Sequence, residues 1–203
     1  MALYLQGYRL IAGLDEAGRG SWAGPVVAGA VILPLSLPDL EERLNGVRDS
    51  KQLSPLERER FYEIICSLAL AVDVGVIPSA IIDKLGIVSA TRQAMALAVA
   101  ELTPPPDFLL IDFLHLPAVK ISQKSIVRGD ALSLSIAAAS IIAKVTRDRL
   151  MVKLEAEYPG YGFARHKGYG TPQHRAALAR LGPSLLHRLS YNPVAAACRP
   201  DTL

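Results

Sequence analysis

Residues 8–33, YRLIAGLDEAGRGSWAGPVVAGAVIL, hold two short apolar runs separated by a polar, glycine-rich loop. The first run (8–15) ends in that loop, and the second (26–33) is rich in Val and Ile and bounded by Pro25 and Pro34, so both read as strands. A single loop joins them, which predicts an antiparallel hairpin. Its first strand closes on two adjacent acids, Asp15 and Glu16, followed by Gly18-Arg19-Gly20. Buried neighbouring carboxylates repel each other, and a glycine-bracketed arginine is costly to order. The stretch therefore demands a compensating partner.

The rest of the chain extends this hairpin into a sheet. The segment 34–55 is loop-rich. In SPLERERFYEIICSLAL (54–70), Ser54, Pro55 and Glu57 form a capping box that opens an amphipathic helix. AVDVGVI (71–77) alternates as a third strand. Helices are expected over 79–85 and 87–102, with Thr91 and Arg92 on the wet side of the second. After the rigid break TPPPD (103–107), FLLID (108–112) is a continuous apolar run ending in an acid, the pattern of a buried parallel strand. AVKISQ (118–123) reads as a fifth strand and 131–158 as one long helix; beyond it come Pro/Gly breaks and a short helix at 171–182. This order predicts an α/β fold with mixed strand pairing. If strands 8–15 and 108–112 are neighbours, Asp15, Glu16 and Asp112 meet outside the carboxyl ends of the sheet, where α/β chemistry gathers.

With 203 residues, 51% apolar and 20% charged, the chain can bury one sizeable core or a core plus a small appendage. No apolar stretch reaches the ~18 residues of a membrane helix, and the N-terminus lacks the pattern of a signal peptide. Cys66 and Cys198 share no metal-ligand spacing and read as reduced thiols, which makes the cytoplasm the expected compartment. Residues 1–160 carry 16 Lys/Arg against 18 Asp/Glu, whereas residues 161–203 carry 6 against 1. Such a basic end suits a polyanionic partner or a solubilising surface.

A carboxylate cluster either takes up a proton or is neutralised by divalent cations. Oxygen-only ligands favour Mg²⁺ or Mn²⁺ over zinc, and such ions suit phosphoryl transfer. Taken singly, Asp15 or Asp112 could be a turn residue or a cap. Asp130 precedes the long helix as an N-cap would, a position that could also serve a metal. His115, alone in a loop, reads as a surface residue. Gly18-Arg19-Gly20 has neither dinucleotide nor P-loop spacing; its glycines make a tight turn or let the backbone approach a ligand closely. Lys51, in DSKQLS (49–54), is a loop cation of the kind usually solvated. In RHKGYGT (165–171), Arg165, His166 and Lys167 with Tyr169 make either cationic phosphate contacts around an aromatic platform or a flexible basic turn.

In order and spacing, GLDEAGRGSWAGPVVAGAVIL, DSKQLS, LLID, RGDALSLSIAAASIIAKVTRDRLM and HKGYGTPQH resemble the blocks of bacterial ribonuclease HII, over roughly residues 8 to 192. The resemblance implies an RNase H-like mixed five-stranded sheet flanked by helices, residues 1–158, with a basic C-terminal helical extension, residues 159–203. It implies cleavage of the RNA strand of RNA/DNA hybrids, and cleavage at single ribonucleotides in duplex DNA, leaving 5′-phosphate and 3′-hydroxyl ends. The metal-binding and catalytic acids would be Asp15, Glu16, Asp112 and Asp130, holding a pair of Mn²⁺ or Mg²⁺ ions. The Gly18-Arg19-Gly20 backbone would read the 2′-hydroxyl, Tyr169 would stack on the following deoxyribose, and Lys51, Arg165 and Lys167 would contact substrate. Phe113, Arg128 and Tyr191 stand where many members have glycine, lysine and phenylalanine; no acid is altered. The partners expected are hybrid and ribonucleotide-containing duplexes, with no membrane, and nothing demands more than a monomer. Rival readings are an RNase H-fold junction resolvase, which lacks the glycine-loop and tyrosine pair, and a non-catalytic hybrid-binding module. A ribonuclease of type HIII usually carries an extra N-terminal domain, and only seven residues precede the first strand here.

Overall fold

The computed structural model describes residues 2–198. A first turn of helix, α1 (Ala2–Leu5), leads into β1 (Ile11–Ala17) and β2 (Val26–Ile32). Next come α2 (Leu40–Arg43), a 3₁₀ turn at Ser50–Gln52, α3 (Pro55–Leu68) and β3 (Ala71–Ile77). Then follow α4 (Ser79–Leu85), α5 (Ile87–Glu101), β4 (Phe108–Asp112) and β5 (Ser122–Ile126). The chain continues through α6 (Gly129–Leu132), α7 (Leu134–Glu157), α8 (Phe163–His166), α9 (Pro172–Leu181) and α10 (Asn192–Ala197). Residues 199–203, the end of the expected extension, lie outside the described residues.

The five strands form one sheet in the order β3-β2-β1-β4-β5. β2 runs antiparallel to both β1 and β3, and β4 and β5 run parallel to β1. The hairpin forms as expected, but β1 continues to Ala17, because Glu16 and Ala17 still pair with Ala28 and Val27. Both acids therefore lie in the sheet ladder rather than in the turn beyond it. α3 starts on the anticipated box: the Ser54 hydroxyl accepts from Glu57 N at 3.2 Å, and Glu57 Oε2 accepts from Ser54 N at 2.7 Å.

Each sheet face buries its own helices. Ala12, Leu14, Ala28, Ala30 and Ile111 pack against Ala90, Ala94, Met95 and Ala98 of α5. Val31 and Leu33 pack with Phe61 and Ile65 of α3 and with Ala138, Ala139, Ile141 and Ile142 of α7. The small residues in α7 let its backbone come close to the sheet. At Gly13 a side chain would collide with the Ser135 carbonyl, so β1 needs glycine there.

The structure corrects several expectations. β5 occupies 122–126 rather than 118–123, because the Gln123 side chain binds Leu116 N, Leu116 O and Val119 O and holds 116–119 as a turn. The long helix does not begin at 131: Ser133 is extended (φ −134°) and separates α6 from α7. Asp130 thus sits in the first turn of α6 and caps nothing. Thr91 is fully buried, not wet, because its hydroxyl donates to Ile87 O at 2.8 Å within its own helix. Arg92 is exposed as expected. Cys66 and Cys198 are free and exposed. No helix among the described residues is long and apolar enough to cross a membrane.

Candidate active site

Leu14 of β1 pairs with Ile111 of the parallel β4. One step further along each strand stand Asp15 and Asp112, side by side at the carboxyl end of the sheet. Asp15 is 4% exposed, on the face covered by α7, and the Ser140 side chain lies beside its carboxylate. Burial pushes its pKa well above the ordinary carboxylate value, and the charges of Glu16 and Asp112 add to the shift. Glu16 is raised as well, chiefly by burial, although the Arg19 guanidinium at 3.0 Å opposes this. Asp130 reaches the same group from α6, raised by burial and then by Asp49 and Asp112.

Lys51 faces these acids. Burial works to lower its pKa, but Asp49, Asp15, Asp130 and Glu16 together raise it. Lys51 is solvated as its loop position suggested: its side chain is 80% exposed, its Nζ lies 4.0 Å from Asp49 Oδ1, and the nearby acids favour its charged form. Asp49, which the sequence did not single out, caps the 3₁₀ turn by accepting from Lys51 N at 3.0 Å and so sets the position of Lys51.

Among the described residues, no three His, Cys, Asp or Glu side chains converge closely enough to enclose one ion as they stand. The carboxylates have other partners. Asp15 Oδ1 accepts from Glu16 N at 2.7 Å, Asp112 Oδ1 from Gly129 N at 2.7 Å, and Glu16 Oε1 from Arg19. Yet Glu16 Oε2 is buried without any partner, which a protein normally avoids. An orphaned carboxylate oxygen beside acids whose burial disfavours their charge fits a hard divalent cation.

The loop after β1 is held from behind. Gly18 has φ +93°, and a side chain there would strike the Arg147 guanidinium. At Gly20, by contrast, a Cβ would meet nothing within 4 Å. Arg188 Nη2 donates to Gly18 O at 2.7 Å, and Arg188 Nη1 donates to Arg19 O at 2.8 Å, an oxygen that also accepts from the Tyr191 hydroxyl at 2.6 Å. Trp22 N donates to Gly168 O, Gly24 N to Leu186 O and Arg188 N to Trp22 O, each at 2.8 Å, so the C-terminal segment is stitched to this loop. Arg147 and Arg188 were both missed in the sequence. Only Arg147 carried a signal: Ala143, Arg147 and Met151 recur every four residues on the buried side of α7.

Tyr169 stands beside the loop, 37% exposed, with Lys144 Nζ 5.6 Å and the Arg147 guanidinium carbon 5.5 Å from its ring centre. With Arg58, Lys144, Arg149, Arg165 and Lys167 it lines a cleft of about 670 Å³. Part of this charge is already satisfied: Lys144 pairs with Asp148, Arg149 with Glu59 and Glu63, and Lys167 Nζ donates to Ala164 O. His166, which read as part of the basic loop, is instead buried, stacked on His174 at 4.4 Å.

A mixed five-stranded sheet with helices on both faces, and acids at the carboxyl ends of its adjacent parallel strands, defines an RNase H-like protein. The model of the family Ribonuclease HII matches residues 12–194, and the chain belongs to that family. The ribonuclease HII of Chloroflexus aggregans is 55% identical over 192 residues, 95% of this chain and 91% of that one. The ribonuclease HII of a Dehalococcoides mccartyi strain is 56% identical over 189 residues, 93% and 88% respectively. Among solved structures, the ribonuclease H2 from Pyrococcus horikoshii superposes with a TM-score of 0.78 at 26% identity, covering 92% of this chain and 96% of that one. The protein is a ribonuclease H enzyme.

Proposed function

We propose that the chain hydrolyses the RNA strand of RNA/DNA hybrids and cuts on the 5′ side of single ribonucleotides embedded in duplex DNA, leaving 5′-phosphate and 3′-hydroxyl ends. The observation that carries this reading is the placement of Asp15 and Asp112 one step past the Leu14–Ile111 pair, with Glu16 Oε2 orphaned next to Asp15. Asp15, Glu16 and Asp112, with Asp130 from α6, would hold two Mg²⁺ or Mn²⁺ ions. When bound, such ions lower the pKa of a water and neutralise charge at the scissile phosphate and the leaving 3′-oxygen. Asp15, Glu16, Asp112 and Asp130 would act by holding those ions, and no covalent enzyme intermediate is needed.

Selectivity rests on the loop and the tyrosine. The 2′-hydroxyl is the one handle that separates RNA from DNA at a single sugar. The amides of Arg19 and Gly20 read it without reference to the base, and the open space at Gly20 leaves room for the sugar. Tyr169 stacks on the following deoxyribose. Lys51, Arg165 and Lys167, with the basic extension 159–203 on the 1–158 body, supply salt-sensitive contacts to phosphates.

A DNA duplex carrying one ribonucleotide tests the reading, with wild type compared against Asp15→Asn and Tyr169→Ala. The expected result is a 5′ cut by wild type, none by Asp15→Asn despite retained binding, and a loss of junction preference in Tyr169→Ala. Cleavage of an all-DNA junction with no cut at the ribonucleotide would overturn it in favour of a resolvase, and hybrid binding without cleavage in either metal would leave only a binding module.

A further inference from the structure

Two guanidinium groups in this protein are fully buried, and among the described residues neither forms an ion pair. Arg147 donates to the carbonyls of Pro25 at 2.9 Å, Lys167 at 3.0 Å and Ala23 at 3.2 Å. Arg188 donates to those of Gly18 and Arg19, to Gly24 at 2.9 and 3.1 Å, and to the Tyr191 hydroxyl at 3.0 Å. Burying a cation without an anion is costly, and apolar side chains would fill the space more cheaply. What two guanidiniums supply, and apolar groups cannot, is a fixed orientation for six backbone carbonyls.

That orientation matters on the opposite side of the chain. In a trans peptide the N–H points away from the C=O. Holding the carbonyls of Gly18 and Arg19 inward therefore aims the amides of Arg19 and Gly20 outward, and among the described residues these donate to no protein acceptor. Arg147 ties the far end of the same loop, at Ala23 and Pro25, to Lys167, and its guanidinium lies against the Tyr169 ring. We infer that Arg147 and Arg188 are positioning residues that lock the ribose-facing loop and Tyr169 into a single rigid reader of the RNA–DNA junction. The inference rests on the reading above, in which that loop and Tyr169 touch substrate.

The test is a double-mutant cycle with Arg147→Lys and Tyr169→Ala. kcat and KM are measured on a duplex with one ribonucleotide and on a continuous hybrid, and Tm is recorded for each variant. Junction preference, the ratio of kcat/KM on the two, should fall at least about fivefold in Arg147→Lys, and by less than about twofold further in the Tyr169→Ala background. Losses that multiply, or an equal loss on both substrates, would make Arg147 merely structural. An unchanged preference in Tyr169→Ala would sink the underlying reading together with the coupling. A preference lowered by Tyr169→Ala but not by Arg147→Lys would sink the coupling alone. Arg188→Lys, which keeps the charge and loses the fork, tests the Arg188 side and stands alone should Arg147→Lys not fold, with Tyr191→Phe as a control expected to stay near wild type. Losing the paired donors to Gly18 O and Arg19 O in Arg188→Lys should lower kcat about threefold or more on both substrates, with KM little changed; an unchanged kcat would overturn the proposal for Arg188.

Discussion

Asp15 stands one step beyond Leu14 in β1, and Asp112 stands one step beyond Ile111, the partner of Leu14, at the end of the parallel β4. Two like charges therefore share one edge of the sheet, and burial penalises the ionised form of Asp15. Replacing Asp15 with Asn keeps the shape and removes one charge. Cleavage should fall by on the order of a thousandfold, as when one preorganised electrostatic group is lost, while hybrid affinity stays within about twofold. The Tm of the metal-free protein should rise, because the raised pKa of Asp15 means that its ionised form opposes folding. Scanning calorimetry in EDTA checks the sign.

Added Mn²⁺ or Mg²⁺ should stabilise the fold at neutral pH, by about 2.7 kcal/mol at a hundred times Kd. The gain should shrink as pH falls. Asp15, Glu16 and Asp130 have raised folded-state pKa values, so above the ordinary carboxylate range they hold protons that the unfolded chain has released. In that window acid stabilises the metal-free form and competes with the metal. Thermal melts across pH, with and without metal, report both effects.

The buried histidines predict the opposite slope at a different place. His174 Nε2 and His187 Nε2 are 3.1 Å apart, so one must donate and the other accept. Burial, then the neighbouring His174, lowers His187 to about 4, and His174 is lowered too. The unfolded chain therefore binds more protons than the folded one between about 6.5 and 4. Stability should be full above 6.5 and fall as pH drops through this window, by up to about 3 kcal/mol for His187. Urea midpoints at pH 7 and pH 4.5 measure the loss, and His187→Asn should flatten it.

Two glycines of the same loop should respond differently. Gly18→Ala places a methyl in a left-handed backbone (φ +93°) against Arg147 and should cost about 1–3 kcal/mol of stability. Gly20→Ala meets nothing within 4 Å and should change stability by less than about 1 kcal/mol. Its effect should fall on cleavage of ribonucleotide-containing duplex, read as kcat/KM.

The hairpin, the capping box at Ser54 and the acid-ended strand at Phe108–Asp112 were legible because local patterning alone dictates them. The edge strand β5 was misplaced because a half-exposed strand carries little alternation, and its start is fixed by the Gln123 side chain. Thr91 was assigned to solvent on polarity, which a hydroxyl bonded within its own helix hides. Asp130 looked like a cap because nothing in the composition of 129–158 announces the break at Ser133. The meeting of Asp15, Glu16 and Asp112 at one edge was legible from the strand order, but the groups that hold the neighbouring loops were not. Arg147 and Arg188 act through backbone atoms more than a hundred residues away in sequence, which local patterning does not reveal beyond the four-residue recurrence that includes Arg147. Asp49, by contrast, acts two residues away through a turn that the loop-rich 34–55 did not announce.

The stitching of Trp22 and Gly24 to Gly168, Leu186 and Arg188 has a consequence for biosynthesis. β1 and its loop are made before the segment that clasps them, so the loop cannot take its native hydrogen bonds until residues 168, 186 and 188 have been made. In the proposed reading, a chain stopped short of residue 188 would carry Asp15, Glu16, Asp112 and Asp130 without the clasp on the loop beside them.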